Sequence, residues 1–284
     1  MNQIKTLVLL SLLSALLFTI SYWLIGGVAG AMTGIALAAV TNLGSWYFSD
    51  RIALAAYGAR EVSYGQAPEL YEMVERLCDR APMPMPKVYV IPTGAANAFA
   101  TGRDPQHAAV AVTEGIMQIL PEEELEAVIA HELSHINNRD TLTQAVAATI
   151  AGAISLLAQM AFWFAPGRRS DNGANFLGIL LTYLLAPLAA TVIQLGISRT
   201  REFSADAGAA KLTGNPRALA RALQRLDNSA RQMPIDGNPA FAPLLIMNPL
   251  SGGLLKNLFS THPATEDRIQ QLMKLEEQLP GSSF

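Results

Sequence analysis

The chain has 284 residues, 51% hydrophobic and only 15% charged, with a formal net charge of −3. Soluble domains carry about 25% charged residues, so this composition points to a protein that presents part of its surface to lipid. The near-neutral charge and the lack of a basic run with interleaved aromatics give no sign of a nucleic-acid binder. Its one cysteine, Cys78, excludes an intrachain disulfide and any dependence on an oxidising compartment.

No charged residue stands between Lys5 and Asp50, a run long enough for two membrane helices of about 20 residues each. Gly26 and Gly27 divide the run and predict a tight helical hairpin. A cleaved signal peptide is the competing reading, but the apolar stretch before Ala29-Gly30-Ala31 is too long and a second apolar segment follows. Ala67 to Arg80 reads as a helix with Leu70, Met73, Val74 and Leu77 on its apolar stripe. Lys87–Ile91 and Ala108–Thr113 read as strands, whereas Gly94–Gly102 between them is small and irregular.

Pro121 then opens a helix whose first turn is acidic, at Glu122, Glu123 and Glu124, and whose apolar positions are Leu125, Val128 and Ile129. That helix ends in His131-Glu132-Leu133-Ser134-His135. Residues i and i+4 project from one helical face, so both imidazoles can reach one ion while Glu132 points beside it. Neutral imidazole nitrogens bind Zn²⁺, and a catalytic zinc keeps a position open for a water that a neighbouring carboxylate deprotonates. The motif predicts a zinc hydrolase with one ion per chain.

Two more uncharged stretches follow, Thr141–Gly167 and Asn172–Ser198, each long enough to span a bilayer. A buried soluble hairpin is the alternative for this pair, which carries Gln144, Gln159, Pro187 and Gln194. Lys5, Arg51, Arg60, Arg76, Arg80, Arg199 and Arg201 flank the apolar runs on one side and outnumber Arg168 and Arg169 on the other, which places the zinc motif in the cytoplasm. Glu202 and Asp206 share a helical face just after the fourth run, where two like charges repel unless a cation sits between them. Either supplies the third ligand. Arg217, Arg221 and Arg225 on the helix from Pro216 to Met233 read as a solvated stripe, and Glu266 to Gln278 as a closing helix. The expected fold is α+β and mostly helical, a metalloprotease domain with about four transmembrane helices in two hairpins. Its divisions are 1–50 (first hairpin), 51–140 (zinc helix), 141–198 (second hairpin) and 199–284 (third ligand).

Asn97-Ala98-Phe99-Ala100-Thr101-Gly102, His131 to His135 followed by Asn138-Arg139-Asp140, Glu202 with Asp206, and His262-Pro263-Ala264-Thr265-Glu266-Asp267-Arg268 together resemble the HtpX-type membrane zinc metalloproteases, gluzincins related to the CAAX prenyl endopeptidases. The resemblance implies that His131, His135 and Glu202 bind zinc, that Glu132 is general base and then proton donor, and that Asp206 orients a zinc-bound histidine. It implies further that Asn97, Ala98, Phe99 and Ala100 form an edge for an extended substrate, and that His262 and Arg268 stabilise the oxyanion. The partners it implies are polypeptides, misfolded or damaged membrane proteins cut at the cytoplasmic face of the bacterial inner membrane. A prenyl-protein endopeptidase of narrow specificity and a non-catalytic zinc scaffold are the alternatives.

Overall fold

The computed structural model describes residues 2–164, 192, 199–233, 235, 241–247 and 263–278. Helix α1, Asn2–Ile25, and helix α2, Gly27–Ala56, form the expected hairpin. Gly26 and Gly27 take φ of +79° and +57°, left-handed values that glycine reaches without a Cβ penalty. The helices then approach closely through small residues. A Cβ on Gly30 would stand 2.7 Å from the Ser21 carbonyl oxygen, and one on Gly34 2.7 Å from Phe18 Cα. Asn42 Nδ2 donates to Ser14 Oγ at 2.8 Å across the same contact. Val28, Met32, Ile35, Val40 and Leu43 meanwhile face outward. Small residues inside and large apolar ones outside is the arrangement expected where the surrounding solvent is lipid. Among the described residues, α2 is the one helix long and apolar enough to cross a membrane. It continues past Asp50 and Arg51 to Ala56, so it enters the rest of the molecule unbroken.

Four strands make a mixed sheet in the order β1-β2-β4-β3: β1 Arg60–Glu61, β2 Lys87–Ile91, β3 Ala98–Gly102 and β4 Ala108–Thr113. β2 and β4 run parallel, whereas β3 is antiparallel to β4 with Ala98 opposite Val112 and Ala100 opposite Val110. Period-2 alternation splits the sheet between two cores. Val88, Ala98, Ala100, Val110 and Val112 face one, built with α3 (Pro68–Arg80), α4 (Glu114–Ile119) and α5 (Glu122–Asn137). Ile91, Phe99, Ala109 and Ala111 face the other, built with α1, the end of α2 and α6 (Thr141–Phe164). β3 is the element that composition missed: two Ala and a Gly dilute the β preference of Phe99 and Thr101, and pairing with β4 makes the segment a strand.

Three helices complete the first core: α7 Arg199–Thr213, α8 Pro216–Gln232 and α9 Thr265–Glu276. The expected arginine stripe on α8 is not simply solvated. Arg225 Nε stands 2.8 Å and Arg221 Nε 3.2 Å from the carboxylate of Glu124, itself buried in the first turn of α5. The two half-exposed guanidiniums compensate a carboxylate that could not be buried alone, so charge fixes the start of the zinc-motif helix against α8. Apart from Val192, the fourth apolar run and the loop before it lie outside the described residues.

α5 and α7 pack with almost nothing between them. A Cβ on Gly208 of α7 would overlap Ser134 Oγ, and that hydroxyl is pinned by donating to the Ala130 carbonyl at 2.7 Å. Gly208→Ala should therefore push α7 away from α5 and lower stability by about 1–3 kcal/mol, the usual cost of overpacking. Because α7 carries Glu202, metal affinity should fall in the same variant. Thermal unfolding and metal titration check this, and wild-type values in both would refute the contact as a constraint.

Candidate metal centre

α5 is buried from Leu125 onward on nearly every side, which is why His131, Glu132 and His135 are only 1%, 2% and 5% exposed. α7 brings up Glu202 and, one turn later, Asp206, each 1% exposed. One ligand atom from each of His131, His135 and Glu202 can be chosen so that all lie within 4.8 Å of one another. His135 Nε2 is 3.5 Å from Glu202 Oε1, and His131 Nε2 is 3.8 Å from Glu202 Oε2. Tetrahedral zinc with bonds of about 2.0–2.1 Å has ligand-to-ligand edges of about 3.3–3.4 Å. The cradle is slightly wider than that, and its donor set of two imidazoles and a carboxylate suits the ion.

Charge supports the same conclusion. Buried carboxylates at Glu132, Asp140, Glu202 and Asp206 face buried guanidiniums at Arg201 and Arg268, four negative groups against two positive, with an excess of two negative charges when all are ionised. A dication balances the set, and buried charge needs such balance. In the metal's absence the imbalance is visible in Glu132, whose carboxyl is pushed up to about 7 by burial first and then by Glu202, against the pull of His135 and a hydrogen bond from the Ala100 backbone. Burial, with Arg268, pushes His131 down to about 4, keeping its imidazole neutral and able to bind metal at physiological pH.

Both imidazoles are held from behind. His131 Nδ1 lies 2.9 Å from Asp206 Oδ1, leaving Nε2 toward the metal position. Asp206 is gripped in turn by Arg268, whose Nη2 donates to Oδ1 at 2.6 Å and Nε to Oδ2 at 2.9 Å. That guanidinium outweighs the effect of burial and holds the Asp206 carboxyl below the usual carboxylate range. Nη2 is also 3.4 Å from each ring nitrogen of His131, equidistant and so aimed at neither lone pair. Arg268, which the resemblance assigns to the oxyanion, makes its two shortest bonds to Asp206 and sets Nη1 3.8 Å from Glu202 Oε2. His262, expected beside it, lies outside the described residues. Sequence reasoning missed Asp140, whose Oδ2 is 3.2 Å from His135 Nδ1. A lone aspartate between a zinc helix and an apolar run was the available signal.

The expected substrate edge is real as a strand edge but is partly used by the chain itself. β3 turns the backbone groups of Ala98 and Ala100 away from β4. Ile246 N–H donates to the Ala98 carbonyl at 2.9 Å. Asn97 clasps Met247, donating from Nδ2 to its carbonyl at 2.9 Å and accepting from its N–H at 3.2 Å. Phe99 is wholly buried, facing Tyr57 in the second core. Asn97 and Phe99 thus build the edge and do not offer side chains to a ligand; Ala100, bonded to Glu132, is the member nearest the metal position.

Two imidazoles and a carboxylate converging at metal-bonding separations, with a second carboxylate of near-neutral pKa beside them, make the donor set of a metallohydrolase. Residues 65–276 match the model of peptidase family M48. The chain is 69% identical over 287 residues to the "Protease HtpX homolog" of Nostoc punctiforme (strain ATCC 29133 / PCC 73102), covering 100% of this chain and 99% of that one. It is 70% identical to the homolog of Nostoc sp. (strain PCC 7120 / SAG 25.82 / UTEX 2576), with 98% of each covered, and 63% identical to that of Acaryochloris marina (strain MBIC 11017) over 98% of this chain and 96% of that one. In fold it is similar to the crystal structure of S. mikatae Ste24p, with TM-score 0.50 and 20% identity, covering 95% of this chain and 65% of that one. The chain belongs to peptidase family M48.

The raised Glu132 carboxyl has a pH signature in metal-free protein. Its folded value of about 7 exceeds the ordinary glutamate value of 4.5, so the unfolded chain releases this proton first and folding stability falls as pH rises from about 4.5 to about 7. Glu132→Gln removes that loss. Its unfolding temperature should match wild type near pH 4 and exceed it at pH 8, by the equivalent of about 3 kcal/mol for a shift of this size. Parallel pH dependence in the two chelator-treated proteins would contradict the assignment.

Proposed function

We propose that this chain is a membrane-embedded zinc endopeptidase that cleaves misfolded or damaged membrane proteins at the cytoplasmic face of the bacterial inner membrane. The observation that carries the reading is the convergence of His131, His135 and Glu202 with Glu132 one residue from the first ligand. Structural zinc is closed by four protein ligands, whereas three leave a position for substrate or water. That difference favours an enzyme over a scaffold.

His131 and His135 would hold the ion through Nε2, and Glu202 through its carboxylate. Zinc bound there supplies Lewis acidity, making an attacking water acidic near neutral pH and polarising the scissile carbonyl. Glu132 would take the water's proton on its carboxylate and return it to the leaving amine. Ala100 N–H fixes the Glu132 carboxylate for that transfer, and Asp206 fixes the His131 ring. An extended peptide would meet the outer edge of β3 at the Ala100 carbonyl, between the Ile246 contact at Ala98 and the Thr141 hydroxyl bond to the Gly102 carbonyl, while the Ala100 N–H stays with Glu132. Such main-chain pairing recognises unfolded polypeptide with little regard to sequence.

In the membrane, α1, α2, α6 and the run 172–198 would form four spans, dividing the chain into hairpins 1–50 and 141–198 and the two halves of the protease unit, 51–140 and 199–284. Basic residues at the ends of the apolar runs support a cytoplasmic site. Cys78 is buried, and its thiol is pushed up to about 11, chiefly by burial, so it is a poor topology reporter. A cysteine at exposed Glu69 in a Cys78→Ser background serves better. An impermeant thiol reagent should label it only after cells are permeabilised; labelling of intact cells would overturn the orientation.

The two α7 carboxylates should separate by role. Glu202→Ala should purify with little zinc and no peptidase activity on an unfolded membrane protein. Asp206→Asn should keep zinc when the metal is abundant and lose about 10–100-fold in affinity or turnover, the usual cost of an outer partner. Zinc analysis and turnover on the same preparations decide it. Loaded Glu202→Ala beside empty Asp206→Asn would reverse the roles.

A further inference from the structure

The back of His135 is as closely built as that of His131. α5 ends in a reversal in which Arg139 N–H donates to the Ile136 carbonyl at 3.0 Å and Asp140 N–H to the His135 carbonyl at 2.9 Å. This is the double bond pattern of a Schellman turn, whose left-handed position is usually glycine. Here Arg139 takes it, with φ of +56°. The reversal folds Asp140 onto the preceding turn, where its Oδ2 lies 3.2 Å from His135 Nδ1. Arg201 from the first turn of α7 sets its Nε 3.9 Å from the other carboxylate oxygen. Asp140 is 2% and Arg201 8% exposed. The order of guanidinium, carboxylate and imidazole parallels Arg268, Asp206 and His131, with a longer separation between guanidinium and carboxylate.

Resting on the zinc reading above, we propose that Asp140 is a positioning residue that orients His135 for the metal, and that Arg201 holds Asp140 in place. A metal-bound histidine that donates its other N–H to a carboxylate has its tautomer and ring plane fixed and its ligating nitrogen made more basic. Asp140 does this for Nε2 of His135 without touching substrate. Its place in the chain adds a consequence. Asp140 immediately precedes Thr141 and Arg201 follows Ser198 closely, so the pair joins the two ends of the apolar stretch 141–198 directly behind a metal ligand.

The test compares wild type, Asp140→Ala, Asp140→Asn and Arg201→Gln, purified in detergent. Zinc affinity is measured by chelator competition, the visible spectrum is recorded with Co²⁺ in place of zinc, and unfolding is followed without metal. Asp140→Ala should lose about 10–100-fold in zinc affinity and shift the cobalt bands. Asp140→Asn, which keeps an acceptor for Nδ1–H and loses the charge, should lose about tenfold. Arg201→Gln should act in the same direction, and its effect should largely vanish in an Asp140→Ala background because the two act through one contact. Zinc affinity within twofold of wild type in Asp140→Ala, with an unchanged cobalt spectrum, would overturn the proposal and leave Asp140 as part of the turn alone. If Asp140→Ala does not fold, Asp140→Asn decides by the same two readouts. Wild type that binds no zinc would instead refute the metal reading of the site.

Discussion

Four carboxylates and two guanidiniums are buried together where α5 meets α7, and with all of them ionised they leave an excess of two negative charges that a dication would balance. Removing charge from water is costly enough that a protein interior tolerates it only when each group is paired or bound to metal. Asp206 is satisfied by Arg268, and Asp140 faces Arg201. Glu202 and Glu132 face the two histidines, and this is where the negative excess collects. The Glu132 carboxyl is raised first by burial and then by Glu202, so its proton affinity reflects the same buried setting that brings the candidate ligands together.

The scaffold delivers these groups through close backbone approach. Gly208 lets α7 lie against Ser134, which brings Glu202 within reach of two histidines that are themselves one turn apart. Glu124 anchors the other end of α5 to Arg221 and Arg225 of α8. β3 runs beside α5 and presents Ala100 to Glu132, while Phe99 on its opposite face reaches the core shared with α2 and α6. A single strand thus joins the apolar helices to the Glu132 carboxylate. Packing in the second core, through Tyr57 and Val146, is accordingly part of how the edge is held.

The zinc helix was legible because its chemistry and its periodicity coincide: His131, Glu132 and His135 sit on a helix with an acidic first turn and an apolar stripe. β2 and β4 were legible from Val and Ile, and α3 from Leu70, Met73, Val74 and Leu77. Three features were not. β3 is Ala-Phe-Ala-Thr-Gly, whose strand character comes from the register with β4. Arg221 and Arg225 look like a solvated face until α5 is placed against them, since only contact reveals that Glu124 is buried. Asp140 depends on a left-handed turn at Arg139, a residue type that gives no warning of positive φ. Arg268 was found by its motif, but its bonds to Asp206 required the arrangement of α7 and α9.

The central claim is that His131, His135 and Glu202 close around one zinc ion with a position left open. Zinc X-ray absorption on the purified protein tests it most directly. The account predicts one zinc per chain with nitrogen and oxygen neighbours at about 2.0–2.1 Å, an imidazole signature from two histidines, and no sulfur. Substituting Glu202 should reduce bound zinc without introducing another ligand type. A sulfur shell at about 2.3 Å, which only Cys78 or a methionine could provide, or an ion that survives loss of both histidines, would contradict it.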